Sequence, residues 1–483
     1  MEAAEESQST EASGGLRKLL PMAIPLAAGL VLRLWMLRKL FEVNGDGLVY
    51  GGLAKNLLLH RQFALEGYGG ELYPTLIRLP GYPIFLAACF RLFGLENYFS
   101  ATCMQVAIDL LSCWLMADFA RRVVPARYKR ATMLATLWLA ALCPFTASYT
   151  PFAIAETLTI CTLVLAMWAL ARFRERPGWG NALLFTFAVT YAALLRPDGA
   201  LAGVVFGAAM VIGLPVGEGR EQIAPRKLMR MATVCIVLAL APFSVWAVRN
   251  WNVFHVVQLL APRLANDPDE SANPGWERWV KSWCLDFIST DQIYWSVPRD
   301  ELKVNKLPSR AFDTPAQYKE TVALADYYNT HGEDLTPEID AQFDHLAAER
   351  IAANPLRYYV WLPVGRVADM WLRPRVENLP VDLDWWVYRR HRRETEFSWG
   401  MAALNAVYLL LGLAGLLFVR PRFWMALLAY MAVRSALLLT IEAPEARYTV
   451  ECFPMLIVAG GAALARIYRS IYLSKEKALP GRP

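Results

Sequence analysis

Two short stretches in one polar loop carry residue types that can do chemistry: Asn44-Gly45-Asp46-Gly47-Leu48-Val49-Tyr50 and Arg78-Leu79-Pro80-Gly81-Tyr82-Pro83. Both follow directly on the first long apolar run. A carboxylate at a membrane surface can serve as a general base toward a hydroxyl. An arginine beside it offers a planar fork of donors that fits phosphate oxygens. Together they suit a reaction on a phosphate anchored in a membrane. Each also has a plainer reading. Asp46 would N-cap the short helix that follows, and Arg78 would snorkel to the interface. Tyr50 lies one helical turn after Asp46 and would orient it; Tyr82 is a second candidate substrate-orienting phenol.

Three further arginines stand at the ends of apolar runs: Arg196 in L-L-R-P-D-G, Arg249 in W-A-V-R-N-W and Arg447 in E-A-P-E-A-R-Y. Shared binding of one anionic headgroup explains them as a set. Local pairing, Asp198 with Arg196 and Glu445 with Arg447, explains them one by one. Glu156 stands where an apolar run begins, a costly place for an acid unless it is functional or paired, or sits on a helix N-terminus. Trp276, Trp279 and Trp283 recur at helical spacing, either as a sugar- or lipid-facing surface or as the core of a subdomain.

The elements that position these residues follow from composition. Of 483 residues, 56% are hydrophobic and 12% aromatic, with a mean hydropathy of +0.28. Windows of about 20 apolar residues match a bilayer core of roughly 30 Å. Ten spans are expected: 19–40, 99–120, 131–148, 152–171, 180–196, 199–216, 229–248, 400–419, 423–440 and 449–468. The run 19–40 is too long for a cleaved leader and lacks an A-x-A end, so it reads as retained. Lysine and arginine collect in alternate loops, which puts both termini in the cytoplasm and the lysine-poor loops outside. The net charge of +6 is a topology signal of this kind rather than a nucleic-acid surface. The eight cysteines form no C-x-x-C, and the five histidines no H-E-x-x-H, so neither a disulfide framework nor a zinc site is indicated.

The expected fold is an all-α polytopic membrane protein with a pair of interfacial helices in the first loop. The segment 80–94 is too short to span and reads as one of that pair. The organisation is a cytoplasmic tail (1–18), a catalytic membrane module (19–248) with its external loop at 41–98, an external region (249–399), C-terminal spans (400–468) and a second cytoplasmic tail (469–483). Residues 262–350 hold 17 acids against 9 bases. Thr314-Pro315 and Thr336-Pro337 read as helix starts, and Ile339, Phe343, Leu346 and Ile351 give an apolar stripe. A small, mostly helical external subdomain follows. The segment 356–375 is placed along the interface, anchored by Trp361 and Trp371.

Taken in order, these motifs resemble the C-type integral-membrane glycosyltransferases, in the bacterial branch of the protein O-mannosyltransferase and lipid A aminoarabinose transferase clan. The resemblance rests on an acid after the first span (Asp46), A-x-N-L, R-L-P-G-Y-P opening a short helix, R-P closing a later span, R-N-W and E-x-R-Y. It covers most of 19–260 and 440–460. It implies transfer of a sugar from a polyprenyl-phosphate carrier to an acceptor (protein, lipid A or polysaccharide) outside the cytoplasmic membrane, with inversion. It maps the catalytic acid to Asp46 and carrier-phosphate contacts to Arg78 and Arg249, with Arg196 and Arg447 as further candidates. Members often carry Asp-Glu at the first-loop acid; here Gly47 follows Asp46, and a second acidic role passes to Glu156. The leaving phosphate is already a weak base, so no metal or other cofactor is expected. Two other classes compete: a lipid-linked sugar flippase, which would carry charges within its spans, and a non-catalytic polysaccharide assembly protein, which would need the arginines but not Asp46. The spans look plain at mid-depth, which favours the enzyme.

Overall fold

The structure, a computed structural model, describes residues 2–67, 69–214, 223–261, 272–386 and 392–478. Arg389 to His391 in the basic run, residues 215–216 of the sixth expected span, 262–271 of the acidic region and the last five residues lie outside that part.

In chain order the elements are α1 (Glu2–Leu40), α2 (Asp46–Leu59), β1 (Ala64–Glu66), β2 (Leu72–Pro74), α3 (Gly81–Phe93), α4 (Tyr98–Arg122), α5 (Lys129–Ala141) and α6 (Pro144–Ala147). Then come α7 (Glu156–Glu175), α8 (Trp179–Leu195), α9 (Ala200–Val211), α10 (Pro225–Phe254), α11 (Pro274–Lys281), α12 (Phe287–Ser289), α13 (Pro315–Thr330) and α14 (Pro337–Ala353). The chain ends with α15 (Leu362–Leu372), α16 (Arg392–Ala414), α17 (Trp424–Leu438), α18 (Arg447–Val450) and α19 (Phe453–Ala478). The protein is thus an all-α polytopic membrane protein with one two-stranded hairpin among its described residues.

Nine of the ten expected spans each overlap one helix over most of their described length. Five described helices are long and apolar enough to cross a membrane: α1 over Leu20–Leu40, α4, α7, α10, and α16 with its continuation to Val419. The expected span 131–148 is broken. Cys143 is extended ahead of Pro144, as the residue before a proline prefers to be, and α5 stops after 13 residues, about 20 Å. The span expected at 152–171 starts instead at Glu156.

Contacts divide the chain into two units. The first is Met1–Pro262, Val407–Tyr430 and Glu451–Pro483. Within it α7 is the most enclosed span, with 78% of its apolar window buried against 11% for α10. Mid-depth is not plain, contrary to the sequence expectation. Arg33 of α1 and Asp109 of α4 are 0% and 1% exposed and pair at 2.5 Å. The Arg33 guanidinium also donates to the carbonyls of Ala141 at 2.7 Å and Gly29 at 3.0 Å. Such donors are what a charge in an apolar environment requires.

The second unit is Arg263–Ala406 and Met431–Val450. Its core gathers Trp276, Trp279 and Trp283 with Phe343, Leu346 and Tyr328, so the tryptophan stripe is interior and not a binding face. The expected starts hold: the Thr314 and Thr336 hydroxyls accept from the N–H of Gln317 and Ile339. The segment 356–375 turns its charges into this unit. Arg366 is fully buried and donates to the carbonyls of Cys284 and Ile441.

Removing one partner of Arg33–Asp109 strands the other charge. Arg33→Met or Asp109→Leu alone should cost about 3–5 kcal/mol, and the double substitution should recover most of it. Thermal unfolding in detergent reads this directly; single variants as stable as the parent would show the pair to be dispensable.

Candidate functional site

Asn44-Gly45 makes the turn that aims Asp46. Gly45 has φ +43°, a left-handed conformation that glycine adopts without strain, and the Gly47 N–H donates to Asn44 O at 2.8 Å. The N-cap of α2 is Gly45, so Asp46 does not cap the helix; it occupies the first turn. Its side chain turns instead to Arg78, whose Nη2 donates to Oδ1 at 2.5 Å. The two are 24% and 25% exposed. Both are therefore partly open at the surface.

Beneath the pair lie two phenols. The Arg78 guanidinium stands 5.8 Å from the Tyr50 ring centre, and Tyr50 meets Tyr82 edge-on at 4.9 Å. Tyr50 thus meets Arg78 with its ring face. Tyr82 is fully buried and donates to Gln105 Oε1 at 2.7 Å. The Gln105 amide donates in turn to the carbonyls of Phe152 (2.7 Å) and Thr150 (3.1 Å). A glutamine inside α4 so ties the first loop to the loop ahead of α7.

The same packing brings in the second acid. Gly81 sits so close to the end of α8 that a Cβ there would lie 2.5 Å from Leu194 O. Tyr191 of α8 donates to Gly81 O at 3.0 Å. Just past this contact, Arg196 pairs with Glu156 at 3.0 Å, Glu451 at 3.1 Å and Asp198 at 3.5 Å. Glu156 and Glu451 are 3% and 0% exposed. One guanidinium thus stands among three carboxylates, Glu156 among them.

Tyr50 records how close the two groups are. Burial pushes its phenol up to about 12, Asp46 and Glu156 add to the rise, and Arg78 and Arg196 oppose it. Asp46, Arg78, Glu156, Arg196, Tyr50 and Tyr82 therefore share one neighbourhood.

Arg249, at the end of α10, donates to Phe63 O at 2.7 Å and Thr75 O at 3.1 Å, three residues before Arg78. Arg447 belongs to the second unit. There it pairs with Glu445, as the local reading expects, and lies 5.6 Å from the Tyr448 ring. Sequence reasoning missed Arg33, Asp109, Gln105 and Glu451. A charge inside an apolar run marks the first two and Glu451; nothing in the sequence singles out Gln105.

Residues 78–246 match the family model of dolichyl-phosphate-mannose-protein mannosyltransferases. No curated protein matches the chain. Among solved structures, the Archaeoglobus fulgidus oligosaccharyltransferase tethered with an acceptor peptide is 13% identical, with a TM-score of 0.50, over 95% of this chain and 50% of that one. ArnT from Cupriavidus metallidurans bound to undecaprenyl phosphate is 14% identical, with a TM-score of 0.39, over 95% of this chain and 81% of that one. The chain spans about half the length of the oligosaccharyltransferase.

The Tyr50 shift has a measurable sign. A phenol raised above its ordinary value of 10 holds its proton more tightly when folded. The stability this gives is complete below pH 10 and is lost as pH rises through about 12. The phenolate titration of the parent minus Tyr50→Phe should be flat through pH 10 and rise toward pH 12. A difference signal already complete at pH 10 would contradict the burial.

Proposed function

We propose that this chain, a membrane protein with the C-type glycosyltransferase fold, moves a sugar from a polyprenyl-phosphate carrier to an acceptor, with inversion. The observation that carries the reading is the Asp46–Arg78 pair, a partly exposed carboxylate and guanidinium joined across 32 residues. The charge sorting of the loops supports the outer face of the cytoplasmic membrane as the side on which this chemistry is proposed. The relatives are named for acceptor peptide and undecaprenyl phosphate. The same two partner classes, a lipid-phosphate donor and a separate acceptor, are proposed here.

In this mechanism the carrier phosphate displaces part of the Asp46–Arg78 contact and takes N–H donors of Arg78. The acceptor oxygen attacks the anomeric carbon from the face opposite the phosphate. The C–O bond to phosphate breaks, its electron pair stays on the phosphate oxygen, and Arg78 stabilises the growing charge. Asp46, released toward the acceptor, takes its proton. Glu156, held by Arg196, supplies a fixed negative field that favours positive character on the sugar. Tyr50 and Tyr82 form the floor on which the reacting groups rest. Arg447 keeps the phosphate role its sequence pattern gives it, to be tested separately by Arg447→Ala.

The flippase reading gains the mid-span Arg33–Asp109 pair. That arginine is, however, engaged with carbonyls on two helices, as a static brace would be. Asp46→Asn separates the two readings. It should lower sugar transfer by about 100- to 10,000-fold, the usual worth of a general base, with protein level and carrier binding retained. Arg78→Ala should raise the apparent KM for the carrier by roughly tenfold or more, the worth of a charge-assisted contact. Mass spectrometry of envelope glycans with and without each variant, beside assays on purified protein, reads both. Full transfer by Asp46→Asn would remove that residue from the mechanism.

A further inference from the structure

The hairpin β1–β2 lies between α2 and the Arg78 segment, with Ala64 opposite Pro74 at its open end. One step further out, the Arg249 guanidinium reaches both arms of the hairpin: Nη2 donates to Phe63 O and Nη1 to Thr75 O. Nη1 also donates to the Asn250 side chain at 2.9 Å. Asn250 is fully buried and donates to Gln258 O.

The charge is compensated by rings. Trp246 and Phe254 lie 5.1 Å from the guanidinium carbon and Phe63 lies 5.6 Å from it. Phe63 and Trp246 meet edge-on at 5.0 Å, so the hairpin and α10 also share an aromatic contact. Thr75 is fully buried, and its hydroxyl accepts from the Ile77 N–H at 3.1 Å. Ile77 O in turn accepts from Arg78 Nη1 at 2.9 Å. A short chain of bonds therefore runs from Arg249 through Thr75 and Ile77 to Arg78.

We infer that Arg249 is a positioning residue, which clasps the open end of the hairpin and thereby sets where Arg78 stands. The inference rests on the reading of Arg78 as the phosphate contact. It gives Arg249 a task that a point charge cannot perform, because two carbonyls on separate strands need the planar fork. It also couples α10 to the site: a shift of the Arg249 end of that helix moves the segment that carries Arg78.

The test uses the full chain purified in detergent, with polyprenyl phosphate as the probe. Arg249→Gln and Arg249→Lys should both speed hydrogen exchange of the amides over 63–79, leaving the spans protected. Arg249→Gln alone should weaken carrier binding about tenfold, comparable to one charge-assisted contact. In an Arg78→Gln background it should weaken binding less than twofold further, because the clasp acts through Arg78. Arg249→Lys serves if the glutamine variant folds poorly, since it keeps the charge and loses only the fork. Losses that multiply, with exchange of the loop unchanged, would make Arg249 a direct phosphate ligand and overturn the clasp. Unchanged exchange with unchanged binding would overturn it as well. A loosened loop with carrier binding indifferent to both arginines would keep the clasp and overturn the carrier reading instead.

Discussion

The bond between Asp46 and Arg78 closes the first loop on itself. It joins the first turn of α2 to Arg78, three residues ahead of α3. As an ion pair a quarter exposed, it is worth about 0–1 kcal/mol to stability. Its value is geometric. Opposite charges in contact and partly open to solvent hold the two ends of the loop together without either being sealed. The floor beneath them is rigid by contrast: Tyr50, Tyr82 and Gln105 are all buried, and the Gln105 amide leaves no room for the loop to slide.

Charge is graded by depth across the first unit. At the accessible end, Asp46 and Arg78 balance one to one. Next, Arg196 is shared by three carboxylates, two of them almost without exposure. Deeper still, Arg33 and Asp109 are sealed, and the guanidinium spends its other donors on helix carbonyls. Burial raises the cost of an ionised group, so the number of partners around each charge must rise with depth. Of these three groups, the outermost pair keeps the most exposure.

Much of this arrangement was legible in the sequence. Apolar runs gave the helices, because length and periodicity are local properties. The R-L-P-G-Y-P motif located α3, and the threonine-proline pairs located α13 and α14. Asp46 and Arg78 were singled out by residue type, and folding brought them together. What could not be read was partnership. Asp46 looked like a cap, but Gly45 occupies that position and leaves the carboxylate for Arg78. Glu451 lies 255 residues from Arg196, and no local pattern links them. The break at Cys143-Pro144 was visible as a residue ahead of a proline, yet the apolar run continuing through it concealed the interruption.

The arginines on the lysine-poor loops were expected to need an anion. The structure shows a second use for arginine, in helices and loops alike. Arg249 donates to carbonyls at the hairpin end, and in the second unit Arg366, Arg375 and Arg434 donate to the carbonyls of Ile441, Ala446 and Tyr448. These carbonyls lie between the longer helices or in the four-residue α18. A backbone acceptor buried without a donor costs on the order of a lost hydrogen bond. Arginine is suited to the gap because it carries five donors on a flat group at the end of a long stem. An arginine on such a loop is therefore weak evidence of phosphate binding until its donors are accounted for. By that standard Arg78 is the better phosphate candidate: its guanidinium meets a carboxylate at the accessible end of the site, whereas Arg249 is built into the backbone that holds it there.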